Sequence, residues 1–192
     1  MIRRAYIKDV PSIAKIINDC AEYGQMLHRS LSYLYEHVRD FHVIVEDGQV
    51  VGVCGLSVVW SNMAEVYALA VAPEYRGRGL GKRLVLACIV EAEELGIAKL
   101  MTLTYERAFF EKLGFTVLDR QQLPLKVWSE CLRCSKNQAC DEIAMVREVE
   151  GIDEILVSRP SAPPMDKYVV PVISSTRKPA ADGVRARMDD AR

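Results

Sequence analysis

The chain has 192 residues, 50% of them hydrophobic and 27% charged, with a formal net charge of -1; this is enough apolar material for one well-buried domain and a tail, and too little for two. The balanced charge excludes a general nucleic-acid binder, and no apolar run is long enough to cross a bilayer. Six cysteines, with no secretory apolar core at Met1–Tyr6, predict reduced thiols in a cytoplasm rather than a disulfide framework.

In chain order, Ile2–Ile7 is predicted as a strand, followed by a helix that Asp9 caps and whose apolar side carries Val10, Ile13, Ile16, Ile17 and Cys20. A polar connection, Gly24–Ser30, ends on a good N-cap, Ser30, for a second helix over Leu31–Val38. Arg29, just ahead of that helix, can present a guanidinium to a carboxylate; pairing with Glu36 or Asp40 is the alternative. Phe41–Glu46 and Gln49–Trp60 flank Asp47-Gly48, a dipeptide that favours a type I′ hairpin turn. Asn62 starts the next turn. The strand Ala64–Val71 is expected to alternate, with Glu65, Tyr67, Leu69 and Val71 on one face and Val66, Ala68 and Ala70 on the other. Glu65 is then a carboxylate on an otherwise apolar strand, where desolvation is costly unless it meets water or a partner. It is either a functional group or a solvent-facing strand residue.

The next stretch, Ala70-Val71-Ala72-Pro73-Glu74-Tyr75-Arg76-Gly77-Arg78-Gly79-Leu80-Gly81-Lys82-Arg83, runs from a strand through glycines into an apolar helix over Arg83–Leu95. The first amides of a helix lack carbonyl partners and lie at the positive end of its dipole, so an anion satisfies them. Gly77, Gly79 and Gly81 permit positive φ and close approach, while Arg76, Arg78, Lys82 and Arg83 add positive charge. The turn lacks the Gly-Lys-Ser/Thr ending of a P-loop and the glycine spacing of a Rossmann turn. Beyond it, Lys99–Thr104 is predicted as a strand, Tyr105–Phe115 as a short helix closed by Gly114, a strand as continuing to Leu118, and Asp141–Val149 as the last strand. Leu123–Trp128 looks like a further strand. Cys131, Cys134 and Cys140 form a C-x2-C-x5-C cluster; zinc needs a fourth ligand from elsewhere, and packed thiols are the default. From residue 150 the composition is that of a flexible tail.

Arg76-x-x-Gly79-x-Gly81, framed by Leu69-Ala70-Val71 and the following helix, resembles motif A of the GNAT superfamily of acetyl-CoA-dependent N-acetyltransferases. Phe110-Glu111-Lys112-Leu113-Gly114-Phe115 resembles its motif B, with Phe110 where the family commonly has the tyrosine that protonates the departing thiolate. Met26–Ser30, Leu34-Tyr35-Glu36, Val51–Leu56, Ala64-Glu65-Val66 and the Leu123-Pro124 to Cys140-Asp141-Glu142 segment narrow the resemblance to short stand-alone bacterial amino-acid N-acetyltransferases, the N-acetylglutamate synthases. The resemblance implies an α/β GNAT fold over residues 1–149: a single mixed, mostly antiparallel sheet, splayed near the acetyl-CoA site and flanked by helices on both faces, with residues 150–192 as tail. It also implies acetyl transfer from acetyl-CoA to the α-amine of L-glutamate in arginine biosynthesis. Another small amine or a protein N-terminus is the alternative acceptor.

The same resemblance implies site residues: Leu69, Ala70, Val71, Arg76, Gly77, Arg78, Gly79, Leu80, Gly81 and Lys82 for acetyl-CoA, Arg29 and Lys126 for the amino acid's carboxylates, and Glu65 as general base. Tyr105 sits five positions before Phe110, more than a turn away and off that face, which leaves its reach to the sulfur open, and an obligatory acid is not required. No metal is expected. The partners are small molecules, without nucleic acid or membrane, and homodimer formation is left open.

Overall fold

The computed structural model describes residues 1–123 and 140–152, all within a unit running from residue 1 to residue 156. Among the described residues, seven strands form one mixed sheet: β1 (Ile2–Arg4), β2 (Phe41–Glu46), β3 (Gln49–Trp60), β4 (Met63–Val71), β5 (Lys99–Thr104), β6 (Thr116–Val117) and β7 (Ile143–Glu148). Their order is β1-β2-β3-β4-β5-β7-β6, antiparallel throughout except between β4 and β5. The helices are α1 (Val10–Glu22), α2 (Leu31–Glu36), α3 (Leu80–Glu94) and α4 (Arg107–Glu111).

Each face of the sheet buries one long helix. The predicted apolar stripe of α1, with Ala14 and Ala21 added, is buried, packing with Leu34 of α2 against Phe41, Val43, Val53 and Ala70. Leu80, Leu84, Val85, Cys88, Ile89 and Ala92 of α3 cover the opposite face, joined by Phe110, Leu113 and Phe115. Burial of each large aliphatic side chain contributes about 1.5–3 kcal/mol, so these stripes are what hold the helices to the sheet. Ser30 caps α2 as expected, its hydroxyl accepting from the Tyr33 amide at 3.2 Å. The hairpin turns at Asp47 and Gly48 with φ of 49° and 76°, the doubly left-handed pair that a type I′ turn requires.

Several boundaries differ from expectation. The first strand stops at Arg4, and Ile7–Asp9 is a 3-10 turn. Asp9 does not cap α1 with its side chain; both its oxygens are taken by the Arg3 guanidinium, at 2.6 and 3.0 Å, and one also accepts from the Tyr6 amide. The Arg3 contact holds this carboxyl below its usual range. The second helix ends at Glu36, α3 starts three residues earlier than predicted, at Leu80, and α4 is confined to Arg107–Glu111. Only residues 112–114 continue it as a turn, and the strand expected to reach Leu118 ends at Val117. The final strand occupies Ile143–Glu148 rather than Asp141–Val149.

The largest correction concerns β4. Tyr67 lies opposite Gly55 but Ala70 lies opposite Val53, so β4 carries one residue more than β3 between these pairs. Ala68 takes a left-handed φ of 50° within that bulge. An inserted residue inverts the pleat beyond it. Accordingly Ala64, Val66, Leu69 and Val71 pack on the α3 side, while Tyr67, Ala68 and Ala70 pack toward α1. Leu69 and Val71 do not share the face of Glu65 and Tyr67. A second irregularity sits alongside: β4 pairs with β5 only from Met63 to Glu65 against Lys99 to Met101, although the strands continue to Val71 and Thr104. Beyond Glu65 they part.

Candidate active site

A cleft of about 980 Å³ opens where β4 and β5 diverge. Its lining includes Glu65–Val71 of β4, Thr102–Glu106, Cys20, Ala21 and the 24–29 loop, together with Arg76, Gly77, Gly81, Phe109 and Phe110. Main-chain groups of β4 past Glu65 have no pairing from β5. A strand edge left open inside a cleft is a template for an extended ligand carrying amides.

The glycine turn meets this cleft at its α3 end. Gly77 and Gly79 have φ of 77° and 73°, and nothing lies within 4 Å of where their Cβ atoms would be. Backbone conformation, not crowding, requires glycine at both. Gly79 occupies the N-cap position of α3, and the first intrahelical bond across the junction runs from the Arg83 amide to the Gly79 carbonyl, at 3.2 Å. The amides ahead of Arg83 therefore have no carbonyl one turn back and point out of the helix's positive end. Gly81 differs. A methyl there would meet the Phe109 ring at 3.7 Å, an ordinary contact, so only something entering the cleft needs it absent. Left-handed residues around outward amides at a 15-residue helix suit a diphosphate.

The charged flanks of the turn are less uniform than their sequence. Arg76 donates through Nε to the Val71 carbonyl at 3.1 Å and approaches the Cys20 sulfur at 3.5 Å; it fastens the turn to the end of β4 and to α1. Arg78 lies 3.4 Å from Glu46 and over the Tyr75 ring, outside the cleft lining. Leu80 is buried in the core, so only its main chain can serve a ligand. Lys82 is exposed.

Of the residues predicted for catalysis and acceptor binding, Glu65 and Arg29 both line the cleft. Glu65 sits at the apex, the last residue of β4 paired to β5. Arg29 enters from the loop before α2, its guanidinium 4.5 Å above the Tyr33 ring. Lys126 lies outside the described residues, as do Cys131 and Cys134. Cys140 is described: its carbonyl and sulfur accept from Arg120 at 3.2 and 3.0 Å. Among the described residues no group of three histidines, cysteines or carboxylates could hold a metal ion, and no helix is long and apolar enough to cross a membrane.

Phe110 lines the cleft yet is buried in a T-shaped set with Phe109 and Phe115, and it has no proton to donate. Tyr105, at the end of β5, also lines the cleft. Cys54 does not. Its sulfur is fully buried 3.7 Å from that of Cys88, and the Cys88 contact followed by burial push the Cys54 thiol well up. Residues that the sequence did not single out also line the cleft, among them Tyr67, Thr104 and Arg120. Asn18, on α1, grips both main-chain groups of Arg29. Polar residues with long-range partners leave no local pattern, so nothing in the sequence marked them.

Residues 10–115 match the model of the Acetyltransferase (GNAT) family. The chain is 37% identical over 146 residues to an uncharacterised N-acetyltransferase of Chlorobaculum tepidum, covering 76% of this chain and 94% of that protein. It is 34% identical over 137 residues to an amino-acid acetyltransferase of Mycobacterium tuberculosis, covering 69% and 78% respectively. Against an amino-acid acetyltransferase of Neisseria meningitidis serogroup A, identity is 34% over 125 residues, which is 64% of this chain and 29% of that one. Among solved structures, N-acetylglutamate synthase from Neisseria gonorrhoeae, complexed with coenzyme A and N-acetyl-glutamate, aligns with a TM-score of 0.71 at 29% identity over 78% of this chain and 35% of the other. A Mycobacterium tuberculosis protein in complex with CoA aligns with a TM-score of 0.68 at 29% identity, over 77% of this chain and 98% of the other.

Proposed function

The chain belongs to the GNAT family of acetyltransferases, and from that premise we propose that it moves the acetyl group of acetyl-CoA onto the α-amine of L-glutamate, the opening step of arginine biosynthesis. Its one open mixed sheet with helices on both faces is the GNAT fold. The observation that supports the reading is the parting of β4 from β5 at Glu65, in a cleft whose lining also includes Arg29, Gly77 and Gly81.

When bound, acetyl-CoA supplies an activated thioester; the rest is done by the chain. Amides from Gly77 to Lys82 hold the diphosphate, and the open edge of Leu69, Ala70 and Val71 pairs with pantetheine amides as an added strand. Arg29 grips a carboxylate with its planar fork, a bidentate contact that lysine does not reproduce; Lys126 is assigned to the second carboxylate. Glu65 removes a proton from the arriving ammonium, directly or through water, because a protonated amine cannot attack. The freed amine then attacks the thioester carbon while an amide at Leu69 or Ala70 donates to the charge developing on its oxygen. With a cysteine-like pKa of about 8.5, the coenzyme's thiol leaves as thiolate without an obligatory acid, so Phe110 is no obstacle. No acyl-cysteine forms.

Coenzyme A thiol release measured across the free amino acids tests the proposal. Glutamate is expected to give the highest kcat/KM. Preference for glutamine, aspartate or a peptide amine would overturn the substrate assignment while leaving the acetyl transfer intact.

A further inference from the structure

Resting on that reading, one carboxylate of the acceptor is held by an arginine in a loop, and a long side chain on a loop loses binding energy to its own disorder unless something fixes it beforehand. Arg29 is fixed twice. Its amide donates to Asn18 Oδ1 at 2.9 Å, and its carbonyl accepts from Asn18 Nδ2 at 3.0 Å, so a side chain of α1 closes on both main-chain groups as a strand neighbour would. Its guanidinium then lies 4.5 Å above the ring of Tyr33, within cation–π range.

The Tyr33 ring has its own support. It stacks on His37 at 4.2 Å, and His37 Nδ1 is 3.2 Å from Asp40 Oδ2. The same carboxylate oxygen accepts from the Tyr67 hydroxyl at 3.1 Å. Tyr67 also packs on Phe41, with ring centroids 5.4 Å apart, and its phenol interacts with the Tyr33 side chain. Burial first, then Asp40, keep that phenol protonated far above the ordinary range, so it stays a donor. Tyr67 is two residues along β4 from Glu65 and next to the bulge at Ala68. The opposite residue, Gly55, is what gives its ring room: a Cβ there would overlap three ring carbons.

We propose that Asn18, Tyr33 and Tyr67 are positioning residues that form one mount, fixing the Arg29 guanidinium relative to Glu65 so that a carboxylate held by the first delivers its amine to the second. The guanidinium and the base are thereby referenced to the same strand, β4, through Tyr67.

The test is steady-state kinetics on the full chain, with the preferred free amino acid and acetyl-CoA, for Tyr33→Leu, Tyr33→Phe, Tyr67→Phe and Arg29→Lys, together with calorimetric acetyl-CoA affinity. Loss of the ring in Tyr33→Leu is expected to raise the amino-acid KM about two- to thirtyfold, the range of a cation–π contact, and Tyr33→Phe to restore most of it. Tyr67→Phe, which keeps the ring and drops the hydroxyl's contacts with Asp40 and Tyr33, should raise the KM about two- to tenfold. In each the rise in KM should exceed the fall in kcat, with acetyl-CoA affinity held. Should Tyr33→Leu fail to fold, the conservative Tyr67→Phe carries the test. An unmoved KM in these variants beside a raised KM in Arg29→Lys overturns the mount and leaves the proposed function standing. An unmoved KM in Arg29→Lys overturns the function's use of Arg29, and the mount with it.

Discussion

Two parts of the cleft lining, the α3 end of the glycine turn and the Arg29 end of the 24–29 loop, are built by different means. At the α3 end, residues 76–82 do the shaping almost entirely with main chain: two left-handed glycines and the bare amides of a helix start. Around Arg29 the shaping is done by side chains, some close in sequence, as Tyr33 is, and others remote. Asn18 reaches 11 positions along the chain to Arg29, and Tyr67 reaches 27 to Asp40, so α1, α2 and β4 all contribute to one guanidinium's location. One end offers geometry that any diphosphate can use; the other offers a particular placement of charge. A main-chain site tolerates sequence change that a side-chain site does not.

Glu65 belongs to neither end, and changing it should have the largest effect. Glu65→Gln is expected to lower kcat by about 10²- to 10⁴-fold, the usual worth of a positioned general base. The loss should be greatest at low pH, where unassisted free amine is scarcest. A variant that keeps its rate, or keeps the parent's pH profile, would leave the apex of the cleft without a catalytic role. Next in size, Arg29→Lys should raise the amino-acid KM by about ten- to a hundredfold, as expected for loss of a charged bidentate contact. Calorimetric affinity for acetyl-CoA should hold. If both affinities fall together, the two ends are not independent.

The same division explains what could be read in advance. The glycine turn, the α1 stripe, the Ser30 cap and the Asp47-Gly48 hairpin are decided by neighbours within a turn or two, and each lies where the sequence puts it. The inversion of β4 was not legible, because Ala68, Leu69, Ala70 and Val71 are small or apolar enough to suit either face; only the pairing with β3 reveals the extra residue. Charge was legible as amount but not as direction. Arg76 and Arg78 look alike beside the turn, yet one is fastened to Val71 and Cys20 and the other to Glu46. Asp9 looked like a cap and became the partner of Arg3. Asn18 and Tyr67 carried no signal, since their partners are remote in sequence.

Smaller effects separate the glycines from one another. Gly79→Ala forces a methyl-bearing residue into a φ of 73°, which should cost about 1–2 kcal/mol of folding stability, seen as a lower Tm, and should weaken acetyl-CoA binding by moving the helix start.

Gly81→Ala should do the reverse to stability. The position is inside the first turn of α3, has no left-handed φ, and leaves a Cβ at ordinary distance from Phe109; replacing glycine with the best helix former should then add up to about 1 kcal/mol. Its methyl would nevertheless occupy space in the cleft where a diphosphate must approach the amides. A raised Tm with a weakened calorimetric affinity for acetyl-CoA is therefore the expected pair of results. Raised stability with undiminished affinity would mean that the coenzyme does not pass over this residue, and the main-chain end of the cleft would have to be redrawn around Gly77 and Gly79 alone.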